Sequence, residues 1–349
     1  MYFCKLFYAT LAMRIFAAPR HIAIALIAVS IVVCGCTRPA TSRVQPHIER
    51  CASLPVGHTS ATAFVVGDQL YLLGGRTATQ SATNDFYRYD PATDTWTQLP
   101  APPLKARVKA TVAVVAGAAY IGLGFAGKVY NDTAYLHDWW RYDPPTGVWT
   151  RLADFTGSGT VGAAAFVGSD NNSIVTAYGG SYGLTRELMR YDIATDTWTP
   201  YADNWKRAKS AFGVVGAQCD GRCFIGTGFN TESLDQWYEF APDDDVWQKR
   251  RHVPGKRELS TAVAVGQRIY LLGGYHFGGS LTDEKTYDDL LAYDTDADTW
   301  ILCGHLPNGA RRNMIAGEIA HTIYFGLGED DHDEIVNDFY KWTNCDATY

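Results

Sequence analysis

One pattern recurs six times along this chain, about every fifty residues, and it limits the possible folds more than any other feature. Each copy has an apolar run, a second apolar run ending in a glycine slot, an aromatic–acid turn and a tryptophan. The slots are Gly74-Gly75, Gly122-Leu123-Gly124, Gly179-Gly180, Gly226-Thr227-Gly228, Gly273-Gly274 and Gly326-Leu327-Gly328. An aromatic stands seven residues before a tryptophan at Tyr89/Trp96, Tyr142/Trp149, Tyr191/Trp198, Phe240/Trp247 and Tyr293/Trp300. In the first copy, Thr62–Val66 and Leu70–Leu73 flank Gly67-Asp68-Gln69, which reads as strand, tight turn, strand. A polar loop follows, then strand 85–89, the turn Asp90–Asp94 and strand 96–99. Four short strands per copy at this period predict one closed array, an all-β, six-bladed propeller. A lone four-stranded sheet cannot bury both faces, so neighbouring blades pack face to face.

The last copy stops at Phe339-Tyr340-Lys341-Trp342 without a full outer strand. Residues 49–54 align with the outer strand 94–99 and precede the first blade. The expectation is an N-terminal strand that completes the sixth blade and removes the open edge. On this alignment Cys51 takes the tryptophan position and Cys345 lies in the adjoining turn, where a disulfide would lock the closure.

The first 35 residues read as a secretory signal rather than as part of the fold. Arg14 and Arg20 precede an apolar stretch, His21 to Val33, in the order of a charged n-region and an h-region. Residues 1–12 are compatible with a mis-assigned start, since Met13 sits just before Arg14. Cys34-Gly35-Cys36 resembles a bacterial lipobox with Cys36 as the lipidated first residue; the other reading is an uncleaved membrane helix, for which the stretch is short. Residues 36–48 then form a tether, 49–345 the propeller and 346–349 a tail. The expected location is the cell envelope, as an exported lipoprotein. Thr37 after the cysteine is compatible with outer-membrane sorting by analogy with bacterial lipoproteins in general.

The formal charge is −7, and loss of residues 1–35 removes Lys5, Arg14 and Arg20 and no acid, leaving −10. Such a chain is a poor partner for nucleic acid, whose affinity comes from neutralised phosphates. Export permits disulfides. Cys219-Asp220-Gly221-Arg222-Cys223 is a hairpin turn flanked by two thiols, read as a Cys219–Cys223 disulfide; a metal knuckle finds no second ligand pair nearby. Cys303 is left over.

The glycine pair, the Tyr-Asp and the tryptophan seven residues on make residues 49–345 similar to kelch repeats. The alternation of Leu-Leu-Gly-Gly with Gly-Leu-Gly-Phe and Gly-Thr-Gly-Phe also resembles exported bacterial kelch proteins. The resemblance implies a six-bladed propeller and no particular chemistry.

Candidate site residues follow from aligning the entries to the inner strands, which share a face with the loops after the glycine slots. The alignment places Arg107, Arg207, Arg257 and Arg311 at one position, with His58 there in the first copy and Gly159 in the third. As a partial ring at the mouth of the axial channel, these would bind an anionic ligand, with Lys109 and Lys209 adding to it. The competing reading pairs them with Asp85, Asp138, Glu187, Gln236, Asp289 and Asp338, which open the third strands on the same face, as an internal network.

Other features carry less. Gly122-Leu123-Gly124-Phe125-Ala126-Gly127 matches a dinucleotide fingerprint in letters but lacks the following helix. The acidic run Glu329–Glu334 lacks the spacing of a calcium loop, and His276 stands alone. No Ser-His-Asp set, metal set or cofactor motif is assigned.

Two functions are expected from this reading. The first is a monomeric, non-enzymatic binding module for a glycan or protein. The second is a sugar-active enzyme resembling the N-acetylneuraminate epimerases. Anomer exchange needs an acid–base group and a cation for the carboxylate, and Arg257 and Glu258 offer both residue types.

Overall fold

A computed structural model describes residues 45–345, apart from 128–133, 181–186, 202–210, 242–245 and 279–283. The expected leader and Cys36 therefore lie outside the described residues, as do Arg207 and Lys209.

The described chain forms six four-stranded antiparallel sheets. Blade one holds Thr62–Val66, Gln69–Leu73, Phe86–Asp90 and Thr95–Gln98. Blade two holds Thr111–Val115, Ala118–Gly122, Trp139–Asp143 and Val148–Leu152. Blade three holds Ala164–Val167, Ser173–Ala177, Leu188–Asp192 and Thr197–Pro200. Blade four holds Val215–Cys219, Arg222–Gly226, Trp237–Ala241 and Val246–Lys249. Blade five holds Thr261–Val265, Arg268–Leu272, Asp289–Asp294 and Thr299–His305. Blade six holds Ile315–Ile319, Thr322–Gly326 and Phe339–Trp342, and its outer strand is Ile48–Cys51. The first strand of each blade touches its counterparts in the blades on either side, around to the start.

The pattern of burial follows from this packing. A second strand such as Ala118–Gly122 is buried throughout, because both sheet faces meet neighbours, while the outer strand Val148–Leu152 is largely exposed. Each seam between blades has its own apolar cluster. The glycine slot permits the closest approach: a Cβ on Gly122 would lie 2.1 Å from the Asp138 carbonyl and 2.6 Å from the Trp139 ring. No larger residue fits there.

Closure by the N-terminal strand is as expected, but its register is not. Ile48 pairs with Trp342 and Cys51 with Phe339. Trp342 stands where Tyr89 does in blade one, so Ile48, not Cys51, takes the tryptophan position. Cys51 packs between blades six and one and Cys345 between five and six. The expected disulfide between them does not form, because the two side chains lie on opposite sides of one blade. The Cys219–Cys223 expectation fails for a related reason. Cys219 pairs with Arg222 and Cys223 with Gln218, so the two side chains leave opposite faces of the sheet. They lie buried in different seams.

At the channel, one residue per blade adopts a left-handed backbone: Ser60, Lys109, Gly162, Gly213, Leu259 and Asn313, with φ between 49° and 67°. Their peptide groups link blade to blade. Lys109 donates to Ser60 (2.8 Å), Gly162 to Lys109 (3.2 Å), Leu259 to Gly213 (3.2 Å), Asn313 to Leu259 (2.8 Å) and Ser60 to Asn313 (3.3 Å). A leucine at positive φ is strained, and at Leu259 this network holds the conformation.

Candidate functional site

Two adjacent rows of residues enter the inner strands on this face, and they do different things. The first row is the arginine position. Its register is set by the second glycine of each slot, which donates to the carbonyl of the next blade's row member: Gly75 to Arg107, Gly124 to Thr160, Gly228 to Arg257, Gly274 to Arg311 and Gly328 to His58. The third member is therefore Thr160 rather than Gly159. In blade four the bridge of Phe212 to Phe229 puts Ala211 in the row.

The members of this row are bound internally. Arg107 makes a two-pronged pair with Asp138 (2.9 and 2.6 Å) and donates to the Leu123 carbonyl at 2.9 Å. Arg257 pairs likewise with Asp289 (2.6 and 2.9 Å), donates to Gly273 and Pro254, and stacks on Tyr287. Arg311 grips Asp338 (2.8 and 3.0 Å), and the His58 ring meets Asp85 at 3.0 Å. Arg107 and Arg257 are 1% and 0% exposed, which leaves no surface for a ligand. Burial pushes the Asp138 carboxyl up, but the Arg107 bonds and charge outweigh it and hold it below the usual range. The ring expected to greet an anion is thus, in blades one, two, five and six, a set of clasps from the strand entry to the third strand of the same blade.

The second row lies one residue further on: Thr59, Val108, Val161, Phe212, Glu258 and Arg312. Each forms an isolated bridge: to the residue just after the glycine slot at Arg76, Phe125, Phe229, Tyr275 and Glu329, and to the slot's own second glycine, Gly180, in blade three. Extended backbone alternates its side chains, so this row points away from the clasps. The result is a shallow bowl split by chemistry. Blades two, three and four supply Val108, Phe125, Val161, Phe212 and Phe229, while blades five, six and one supply Glu258, Tyr275, Arg312, Glu329, Thr59 and Arg76.

The polar half is densely connected. Glu329 accepts from Thr59 (2.7 Å), Arg76 (2.8 Å) and Arg312 (3.0 Å). Arg312 also reaches Asp333 and lies over the Tyr275 ring. Burial pushes the Glu258 carboxyl up to about 7, against a hydrogen bond from Ser233 and the charge of Lys109. Lys109, next in sequence to Val108, sends its amine over the Phe212 ring at 5.2 Å. Loss of solvent lowers that amine to about 8, with Glu329 and Glu258 opposing. A hollow of about 330 Å³ opens beside it, between Phe125, Val108, Val161 and Phe212 on one side and Arg76 on the other. A second, of about 240 Å³, continues down the axis past Lys109, Leu259 and Asn313.

Of the expected residues, Glu258 and Lys109 face the bowl. Arg107, Arg257, Arg311 and His58 do not. Arg76, Arg312 and Phe212 were missed and Glu329 was seen only as part of an acidic run, although Arg76 and Glu329 directly follow glycine slots and Arg312 follows Arg311. The acidic run is partly structural: Asp330 accepts the backbone amides of His332 and Glu334. Among the described residues no group of three acidic, histidine or cysteine side chains could hold a metal.

Fold and site together define a kelch-repeat β-propeller. A family model described as Attractin/LZTR1 beta-propeller matches residues 70–325, and the chain belongs to that family. It is 27% identical over 259 residues to Kelch-like protein 25 of Xenopus tropicalis, covering 71% of this chain and 41% of that one. It is 27% identical over 286 residues to Kelch-like protein terF of Aspergillus terreus, covering 74% and 59%. An N-(sulfonatooxy)prop-2-enimidothioate sulfolyase of Thlaspi arvense is 28% identical over 261 residues, covering 65% and 72%. Thus the chain spans 41% and 59% of the two Kelch-like relatives. The solved structure of YjhT shares the fold at a TM-score of 0.69 and 19% identity, over 83% of this chain and 95% of that one. The chain is a kelch β-propeller.

Proposed function

We propose that this protein is an exported, lipid-anchored binding module that takes a glycan or protein ligand in the split bowl. The observation that carries the reading is the division of the second row into three apolar and three polar members on a near-sixfold scaffold. A structural row would repeat its pairing with the blades, as the first row does in blades one, two, five and six, where a basic residue meets an aspartate. This one instead gathers like with like, which is the make-up of a recognition surface with an apolar floor and a few placed polar groups. The anchor rests on the lipobox resemblance at Cys36. Palmitate labelling of cells expressing the full chain, lost in Cys36→Ser, tests it.

For the bowl, glycan-array binding or capture of a defined partner is to be measured with Phe212→Ala and Arg76→Gln. Binding lost in both, with the melting temperature nearly unchanged, is the expected result. Binding indifferent to both would remove this face from consideration.

A second reading, a sugar epimerase of the sialic-acid type, is favoured by one observation. Glu258, at about 7, and Lys109, at about 8, share the channel mouth and are both poised for proton transfer near neutrality. Proton NMR of freshly released α-sialic acid tests it. Faster decay of the α-anomer with the protein, abolished in Glu258→Gln, makes this an enzyme. An unchanged decay rate leaves the binding module.

A further inference from the structure

The outer seams between blades differ in how they are closed, and one is left open. In blades one, three and five a staple recurs. Tyr89, Tyr191 and Tyr293 donate their hydroxyls to Asp94, Asp196 and Asp298 at 2.7, 2.7 and 2.8 Å. The same carboxylates accept the backbone amides of Ala52, Ala153 and Arg251 on the preceding blade. Trp96, Trp198 and Trp300 then donate their indole N–H to the carbonyls of those same three residues. One residue of the neighbouring blade is gripped through both its amide and its carbonyl.

Between blades one and two both halves of this staple are missing. Gly147 stands where the aspartate would be, and Pro100, which has no amide hydrogen, stands where the gripped residue would be. Tyr142 and Trp149 remain without the aspartate or the carbonyl partner. A cleft of about 460 Å³ lies here, walled by Tyr71, Phe86, Tyr142, Trp149 and the prolines Pro100 and Pro144, with Arg88 alongside. The Arg88 Nε is buried and has no hydrogen-bond partner, and no carboxylate among the described residues lies within ion-pair distance of this guanidinium.

The seam between blades three and four shows what such a cleft accepts. By strand register Arg190 matches Arg88, Phe240 matches Tyr142, Trp247 matches Trp149 and Tyr201 matches Leu99. There the Tyr201 ring fills the seam, with the Arg190 guanidinium 5.5 Å from its centre and Phe240 edge-on at 6.0 Å. Leu99 is too short to do the same. The inner residues are larger in the open seam, Tyr71 and Phe86 against Val175 and Leu188, and they line the cleft with aromatic surface while leaving it open.

We propose that the cleft between blades one and two is a second ligand site, separate from the bowl, for a tyrosine-like phenol ring. The ring would lie against Arg88 and meet Tyr142 edge-on, as the protein's own Tyr201 meets Arg190 and Phe240 in the equivalent seam. Guanidinium and aromatic faces attract such a ring without fixing its substituents. A free phenol and a tyrosine on a partner peptide present the same chemistry.

The test is titration calorimetry of the full-length protein with p-cresol and, separately, with a capped Gly-Tyr-Gly peptide. Binding of either is expected at one site per chain, weakened about tenfold by Arg88→Met and abolished by Leu99→Tyr, which refills the seam internally. Tyr201→Leu is expected to open the equivalent seam and raise the stoichiometry towards two. Gly147→Asp with Pro100→Ala, which rebuilds the staple in a place where a Cβ meets nothing within 4 Å, should also abolish binding. Cresol alone binding identifies a small-molecule site; peptide binding alone identifies a docking site for a partner's tyrosine. No heat with either probe, or binding unchanged in Leu99→Tyr, overturns the proposal. Since none of these residues touches the bowl, either result leaves the bowl's function to its own test.

Discussion

Two neighbouring residues, Arg257 and Glu258, enter blade five side by side and belong to different parts of the molecule. Arg257 turns inward to Asp289 and vanishes from the surface. Glu258 turns towards the channel mouth, where it is buried among polar groups and holds its proton near neutrality. The same contrast holds around the ring, between the arginine row and the row beside it. Alternation along extended backbone separates structural chemistry from available chemistry by a single residue. A cation at a channel entrance is therefore not evidence of a ligand until its acid partner has been located.

The contrast can be broken first at its structural side. Arg257→Met leaves Asp289 without its partner, and urea unfolding should show a loss of about 3–5 kcal/mol, the usual result of unpairing a buried ion pair. Arg107→Met should behave alike. If either variant kept wild-type stability and lost ligand, the arginine row would be the binding site after all.

Next comes the pH dependence at Glu258. Its pKa is raised from 4.5 to about 7, so the stability it contributes is fully present below 4.5 and is lost as pH rises through 7. That loss is on the order of 3 kcal/mol. Lys109 runs the other way: lowered from 10.5 to about 8, its contribution is present above 10.5 and has faded once pH falls below 8. Unfolding midpoints at pH 5 and 7.5 should therefore fall in wild type and stay flatter in Glu258→Gln. A wild-type midpoint that rises over that interval would contradict the assignment.

Smaller effects sharpen the second row. Glu329→Gln removes the charge that Thr59, Arg76 and Arg312 surround, and should cost about 2 kcal/mol in the same assay. Arg76→Gln, whose side chain is 44% exposed, should change stability by about 0.5 kcal/mol or less while still affecting whatever the bowl binds.

Most of the architecture was legible in the chain. The glycine slots and the Tyr-to-Trp interval mark six blades, and the truncated last copy calls for a strand from the N-terminus. What failed was register. Cys51 was matched to the tryptophan position through its place before the first blade, but backbone pairing puts Ile48 opposite Trp342. Loops of unequal length likewise displaced the third and fourth members of the arginine row. The two thiols of the blade-four hairpin are near in sequence, yet a two-residue turn sends residues four apart to opposite faces. The bowl was harder still to see, because its members share no residue type. They are linked only by a bridge at or just after each glycine slot, and three-dimensional pairing is what reveals that.

The staple residues also bear on ancestry. Asp94, Asp196 and Asp298 recur at equal steps of 102 residues, with their tyrosines and tryptophans in step, and the two forms of the glycine slot alternate from blade to blade. The spacing fits a ring built from a two-blade unit whose first member carries the staple. A ring of that kind need not seal every outer seam alike: Tyr201 fills one, and the cleft between blades one and two stands open.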